Sequence, residues 1–167
     1  MGVRLCICGP GRSGKDTVAE WFGKNTSLKY VGGTSWFAAD ELYQYMNANG
    51  YSYRTVLECW QDRLNHRKLW ADYINNVINR PDPTALYKRC LAEQDILTGI
   101  RNIKEIEACQ QELQMLTIWV KRNVDHDLTM EFTADFCDII ITNNESLERL
   151  YEKCTNLARA LGCLTVT

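Results

Sequence analysis

The sequence predicts an α/β fold: a parallel sheet with helices on both faces. Three observations predict it. Short apolar runs alternate with longer amphipathic stretches. A glycine-rich turn joins the first apolar run to the first amphipathic one. Polar residues cluster where successive apolar runs end, as expected if right-handed crossovers bring the C-terminal ends of all strands to one edge.

The elements follow in order. Residues 3–8 form an apolar run, a candidate buried strand. Residues 14–23 read as a helix with Val18, Trp21 and Phe22 on one face. Residues 28–31 suit a second strand. Residues 37–48, 55–79 and 84–92 read as helices. The middle one carries Leu57, Trp60 and Leu64 at near-helical spacing, then Trp70, Tyr73, Ile74 and Val77. Pro81-Asp82-Pro83 marks the clear break of the mid-chain. Strands are then expected at 95–98, 115–120 and 137–142, with a helix lined by Ile103, Ile106 and Leu113 between the first two. The last helix has Asn143-Asn144 as caps, Glu145 and Glu148 at its positive end and Gly162 as its stop. Its apolar stripe is Leu147, Leu150, Cys154, Leu157 and Leu161. Residues 164–167 suit a short final strand. The sheet is expected to hold about five strands.

The chain has 167 residues, which suits a single domain. Its net charge is −2 and its acids and bases are mixed, so no concentrated basic face speaks for nucleic acid or a membrane surface as partner. No apolar run approaches the ~20 residues a membrane span needs. The N-terminus lacks a basic stretch followed by an apolar one, so a cytoplasmic location is expected, with reduced thiols. The eight cysteines then read as small buried hydrophobes, with Cys6 and Cys8 on one face of the first strand. A homodimer is left open.

The turn Gly9-Pro10-Gly11-Arg12-Ser13-Gly14-Lys15 fits G-x-x-x-x-G-K, after a strand and opening a helix. Glycines let the loop wrap closely with its N–H groups turned inward. The helix N-terminus adds about half a positive charge, and Lys15 supplies a mobile point charge for β- and γ-phosphates. Asp16 stands where Ser or Thr would bind Mg²⁺, with Thr17 next. Asp16 is a candidate ligand of the metal or of its waters, since Mg²⁺ prefers hard oxygens. Its bland alternative is a favourable acid in the first helical turn. Thr17 is a ligand candidate or a plain helix-face residue.

The segment Gly11-Arg12-Ser13-Gly14-Lys15-Asp16-Thr17 resembles the phosphate loop of the phage-type deoxynucleoside monophosphate kinases, in which Asp commonly follows the lysine. Further segments agree in order. They are Ser35 to Asp40, Arg67 with Trp70, Ile96 to Arg101 followed by Glu105, Ile118 to Arg122, and Cys137 to Glu148. The resemblance implies a three-layer P-loop nucleoside monophosphate kinase-like fold over 1–167. It implies an acceptor-binding helical segment at about 36–80 and a short lid at about 122–131. It also implies ATP with Mg²⁺ as donor, a deoxynucleoside monophosphate as acceptor and, for a phage-encoded chain, the host cytoplasm. Gly99 departs from the family, which commonly has Asp there, and 81–87 matches it less well.

Phosphoryl transfer asks a protein mainly for positioning and charge neutralisation. The candidate catalytic residues are Lys15, Arg67, Arg101 and Arg122. Gly9, Gly11, Arg12, Ser13, Gly14, Lys15, Asp16, Thr17, Asn143 and Asn144 are candidates to hold ATP. Asp16 is also the candidate metal ligand. Phe37, Asp40, Arg63, Arg67 and Trp70 are candidates for the acceptor. Arg63 and Arg67 lie four apart, hence on one face of a continuous helix. Each has a bland reading beside it. The arginines also suit a solvated face, Asp40 a helix start, and Trp36, Phe37, Trp60 and Trp70 a core. Asn143 and Asn144 also suit caps. Glu131 follows the lid. His66 and His126 are expected to face solvent. Two other functions stay open. One is a kinase for another small phosphorylated metabolite. The other is a nucleotide-binding regulator without transfer, which Gly99 keeps in view.

Overall fold

A computed structural model describes residues 2–165. Its parallel sheet comprises β1 (Leu5–Cys8), β2 (Ile96–Thr98), β3 (Leu116–Lys121) and β4 (Ile139–Thr142). The order is β2-β1-β3-β4, and every neighbouring pair is parallel. The α-helices are α1 (Lys15–Asn25), α2 (Ala39–Ala48), α3 (Val56–Gln61), α4 (Arg67–Tyr73), α5 (Ala85–Leu91), α6 (Ile103–Gln111) and α7 (Leu147–Ala160).

The described chain falls into two compact units. One is built from the residues up to Val31 and from Glu93 onward; the other is Gly32–Ala92. The first holds the sheet. Leu5 and Ile7, in register with Ile96, Leu116 and Ile118, alternate with Cys6 and Cys8 as a pleat requires. Leu5, Ile7, Ile96, Ile118, Val120 and Ile141 pack with Val18, Ala19 and Phe22 of α1 and with Leu150, Cys154 and Ala158 of α7. Cys6 lies on the opposite face, where its thiol meets Cys109 of α6. Helices thus cover both faces, which lets a parallel sheet be apolar on both.

The sheet has four strands, not about five. Residues 28–31 join no ladder. Gln94 Oε1 accepts from Val31 N at 2.9 Å, and Asp95 Oδ2 from Lys29 N at 2.8 Å. Side chains thus take donors that a neighbouring strand would otherwise pair with. Leu164 makes only an isolated antiparallel bridge with Thr26, and 166–167 lie outside the described residues.

In the second unit, Leu42, Met46, Cys59, Trp70, Ile78, Leu86 and Cys90 are buried. The expected single helix over 55–79 is broken. Thr55 caps α3, accepting from Glu58 N at 3.1 Å, and a 3₁₀ turn at Asp62–Asn65 ends it. Asp62 organises the break. Its carboxylate accepts from Tyr53 Oη at 2.6 Å and Asn65 Nδ2 at 2.6 Å, and pairs with His66 Nε2 at 3.1 Å. These local partners compete with helical continuation. His66 therefore does not face solvent freely; it is half-buried, edge-on to Tyr51. No helix among the described residues is long and apolar enough to cross a membrane.

Candidate functional site

Parallel strands of one sheet all exit at one edge. Between β1 and β3 the chain diverges, with β2 on the far side of β1 and β4 on the far side of β3. A divergence of this kind leaves a crevice beyond the strand ends. The turn after β1 lies there, and the local sequence explains its shape. Gly9 has φ +154°, and a Cβ on it would stand 2.7 Å from the Val120 carbonyl oxygen of β3. Gly14 has φ +97°, and a Cβ there would run into the Asn143 side-chain amide. Both positions exclude a side chain. Arg12 also has a positive φ, 63°, so left-handed residues flank Ser13 on both sides. That alternation turns successive N–H groups to one side.

Asn143, just past β4, donates from Nδ2 to Ser13 O at 2.8 Å and pins the turn from outside. Asn144 Oδ1 accepts from Asn123 N at 2.7 Å, tying the β4 exit to the β3 exit. Neither asparagine caps α7. Ser146 does, accepting from Arg149 N at 3.1 Å, because the helix starts later than the sequence suggests. Ser13 is fully buried, and its Oγ finds no hydrogen-bond partner among the described residues. Lys15 opens α1 half-buried, and its side chain makes no hydrogen bond or ion pair among the described residues. Asp16 is exposed in the first turn, with Thr17 half-buried beside it.

Sequence reasoning missed a central residue. Asp127, from the expected lid, brings Oδ2 to 2.8 Å from Gly11 N and 3.1 Å from an Arg101 guanidinium nitrogen. Its Oδ1 accepts from Thr129 N at 3.0 Å and from Thr129 Oγ1 at 2.6 Å. The Thr129 hydroxyl, the Gly11 and Thr129 amides and the Arg101 guanidinium hold this carboxyl well below the usual carboxylate range. Arg101 also donates to Thr129 Oγ1 and approaches Met130 Sδ at 3.7 Å. Its carbonyl accepts from Glu131 N at 2.8 Å. The signal available was an acid in a polar stretch past a strand end, but nothing local aims that acid at Gly11, 116 positions away.

The other predicted residues divide between the two units. Arg101 and Arg122 follow β2 and β3; Arg122 is exposed. Gly99 is exposed with φ +86°, and Glu105 Oε2 accepts from Arg101 N at 3.2 Å as part of the α6 start. Phe37, Asp40, Arg63, Arg67 and Trp70 all belong to the Gly32–Ala92 unit. Phe37 is half-buried and Asp40 exposed. Arg63 stacks 3.9 Å over the Trp60 ring and donates to the Trp60 carbonyl at 2.9 Å. Arg67 is exposed at the first position of α4. Because the 3₁₀ turn separates them, Arg63 and Arg67 do not share the face that a continuous helix would give them. Trp70 is buried at 4 % exposure, within the core of its unit.

Below the turn, Cys6 and Cys8 place their sulfurs 3.6 Å apart. Hydrogen bonds with Cys137 and Cys6, with help from the Lys15 charge, pull the Cys8 thiol below its ordinary value. Its partners Cys6 and Cys137 are pushed up. No disulfide joins these cysteines, and no group of three His, Cys, Asp or Glu among the described residues could hold a metal.

No protein-family model matches the sequence, and no curated protein matches it. Among solved structures, the chain is similar to the unliganded crystal structure of a sugar kinase from Janibacter sp. HTCC2649. The TM-score is 0.45 and the identity 14 %, over 96 % of this chain and 98 % of that chain. A likeness this remote is no basis for assigning chemistry. The chain holds an α/β unit with a four-stranded parallel sheet, whose first strand ends in a backbone-lined turn that binds a carboxylate.

Proposed function

We propose that this chain is a P-loop phosphotransferase that moves the γ-phosphoryl group of ATP to a deoxynucleoside monophosphate. One observation carries the donor half. The turn after β1 donates a backbone N–H to an anionic oxygen, with an arginine on the same oxygen and a lysine opening the helix behind it. This is the chemistry a phosphate requires. The buried Ser13 hydroxyl without a partner fits the same reading, since a bound phosphate oxygen would satisfy it. The order of motifs along the chain supports the acceptor half.

On this reading Lys15 holds the β- and γ-phosphates, and Arg101 and Arg122 neutralise charge that develops on the transferring group. Gly9, Gly11, Arg12, Ser13 and Gly14 line the polyphosphate, and Asn143 and Asn144 flank the donor nucleoside. Asp16 and phosphate oxygens would hold Mg²⁺, which commonly takes one or two carboxylates and keeps several waters. Held there, it would supply positive charge to the donor phosphates. Arg67, exposed at the start of α4, would clamp the acceptor phosphate, with Phe37 and Asp40 on the acceptor side.

The test is a panel of deoxynucleoside monophosphates with ATP and Mg²⁺, read as ADP release. At least one acceptor should raise ADP well above the acceptor-free rate, and Lys15→Ala should lower that rate on the order of 10²-fold or more. ATP binding by calorimetry with no product from any acceptor would instead favour the regulator, to which the exposed Gly99 points.

A further inference from the structure

Asp127 plays no part in the transfer just described, yet its carboxylate is among the most heavily hydrogen-bonded groups around the turn. Four donors converge on it: Gly11 N at 2.8 Å, Arg101 at 3.1 Å, Thr129 N at 3.0 Å and Thr129 Oγ1 at 2.6 Å. Its side chain is 18 % exposed. The approach to the loop is close, since a Cβ on Gly11 would lie 3.4 Å from Asp127 Oδ2. To a backbone N–H or a guanidinium, a carboxylate oxygen and a phosphate oxygen are equivalent acceptors. Gly11 has one N–H, and a strong second acceptor cannot share it fully.

We propose that Asp127 is a resident anion of the phosphate loop, an internal competitor that a polyphosphate must displace. The inference rests on reading the loop as a polyphosphate site. Displacement frees the Gly11 N–H and, as Thr129 leaves with Asp127, the Arg101 guanidinium. Arg101 is thereby delivered to the incoming phosphates at the moment they enter. The carboxylate keeps the cation neutralised, and the 127–131 segment seated, until then. A competitor of this kind lowers every apparent affinity by the fraction of molecules whose loop is open. Weak monoanions and orthophosphate are pushed out of the working range, while a polyphosphate has charge enough to win.

The experiment compares the full-length wild type with Asp127→Ala and Asp127→Asn. Tripolyphosphate and metal-free ATP are titrated by calorimetry, and the Gly11 amide is followed by ¹⁵N–¹H NMR without ligand. If the open loop is a tenth of the population, both variants should bind tripolyphosphate about tenfold more tightly. The ligand-free Gly11 amide resonance should also move in both. Asp125→Asn changes the net charge equally at an exposed carboxylate two positions away and should alter affinity less than about twofold.

Wild-type binding unchanged in both Asp127 variants overturns the inference and leaves the phosphate loop standing. An equal gain in Asp125→Asn also overturns it, since general charge then explains the effect. A Gly11 amide indifferent to Asp127 removes the contact itself. Binding by the Asp127 variants alone supports the inference in its strongest form. If no chain binds tripolyphosphate or ATP, the inference and the proposed function fall together.

Discussion

At the scale of single residues, the turn after β1 depends on space denied to side chains. Gly14 combines φ +97° with an Asn143 amide where its Cβ would stand, and Asn143 in turn holds Ser13 O. Asn143→Ala should cost about 1–2 kcal/mol, the loss of a half-buried hydrogen bond. Gly14→Ala should cost more than about 1 kcal/mol in the wild type, because strain and collision act together. It should cost less in the Asn143→Ala background, where only the strain remains. Urea midpoints of the two single variants and the double variant measure that coupling. The loop was legible in the sequence because its signal is local: seven consecutive residues with glycines where the backbone needs them. Asp127 was not legible. Its role depends on a chain reversal past β3 that no spacing encodes. Asn143 shows a milder version, since its amide is committed to a carbonyl 130 positions away rather than to the helix it precedes.

At the scale of elements, β1, β2, β3, β4, α1 and α7 lie close to where their apolar runs put them. A run of buried β-branched and aliphatic residues leaves little choice. The long segment 55–79 misled, because apolar spacing continues through a place where the backbone does not. Asp62 gathers Tyr53, Asn65 and His66 there, and the helical path gives way. Asp82 does comparable work ahead of α5. It accepts from Thr84 N at 2.9 Å, Thr84 Oγ1 at 2.8 Å and Lys88 Nζ at 2.7 Å. Lys88 first, then the Thr84 amide and hydroxyl, lower its pKa to about 2. A depressed carboxyl contributes stability above its unfolded value, about 3.9, and loses it as pH falls through the folded one. Asp82→Asn should therefore flatten the fall in stability between about pH 4 and 2 and leave the slope above pH 5 unchanged. Thermal melts across that range read it directly.

At the scale of the molecule, β1 is the axis of the first unit. It pairs on both sides, lies under α1 and α7 on one face and carries Cys6 and Cys8 on the other. Its amides should exchange with solvent only through unfolding of that unit. By native-state hydrogen exchange, Cys6 and Ile7 should be among the most protected positions. The 122–131 segment should exchange orders of magnitude faster. Thr142 and Ile140 of β4 are exposed and should fall between.

The sheet stops after three residues at β2 and four at β4. Residues 28–31 run beside the approach to β2, and Lys153 Nζ sits 2.9 Å from the Thr142 carbonyl at the end of β4. A stray strand from another copy would find few unpaired amides and a positive charge waiting. Short edge strands and a lysine at the margin are features that disfavour strand addition by another copy.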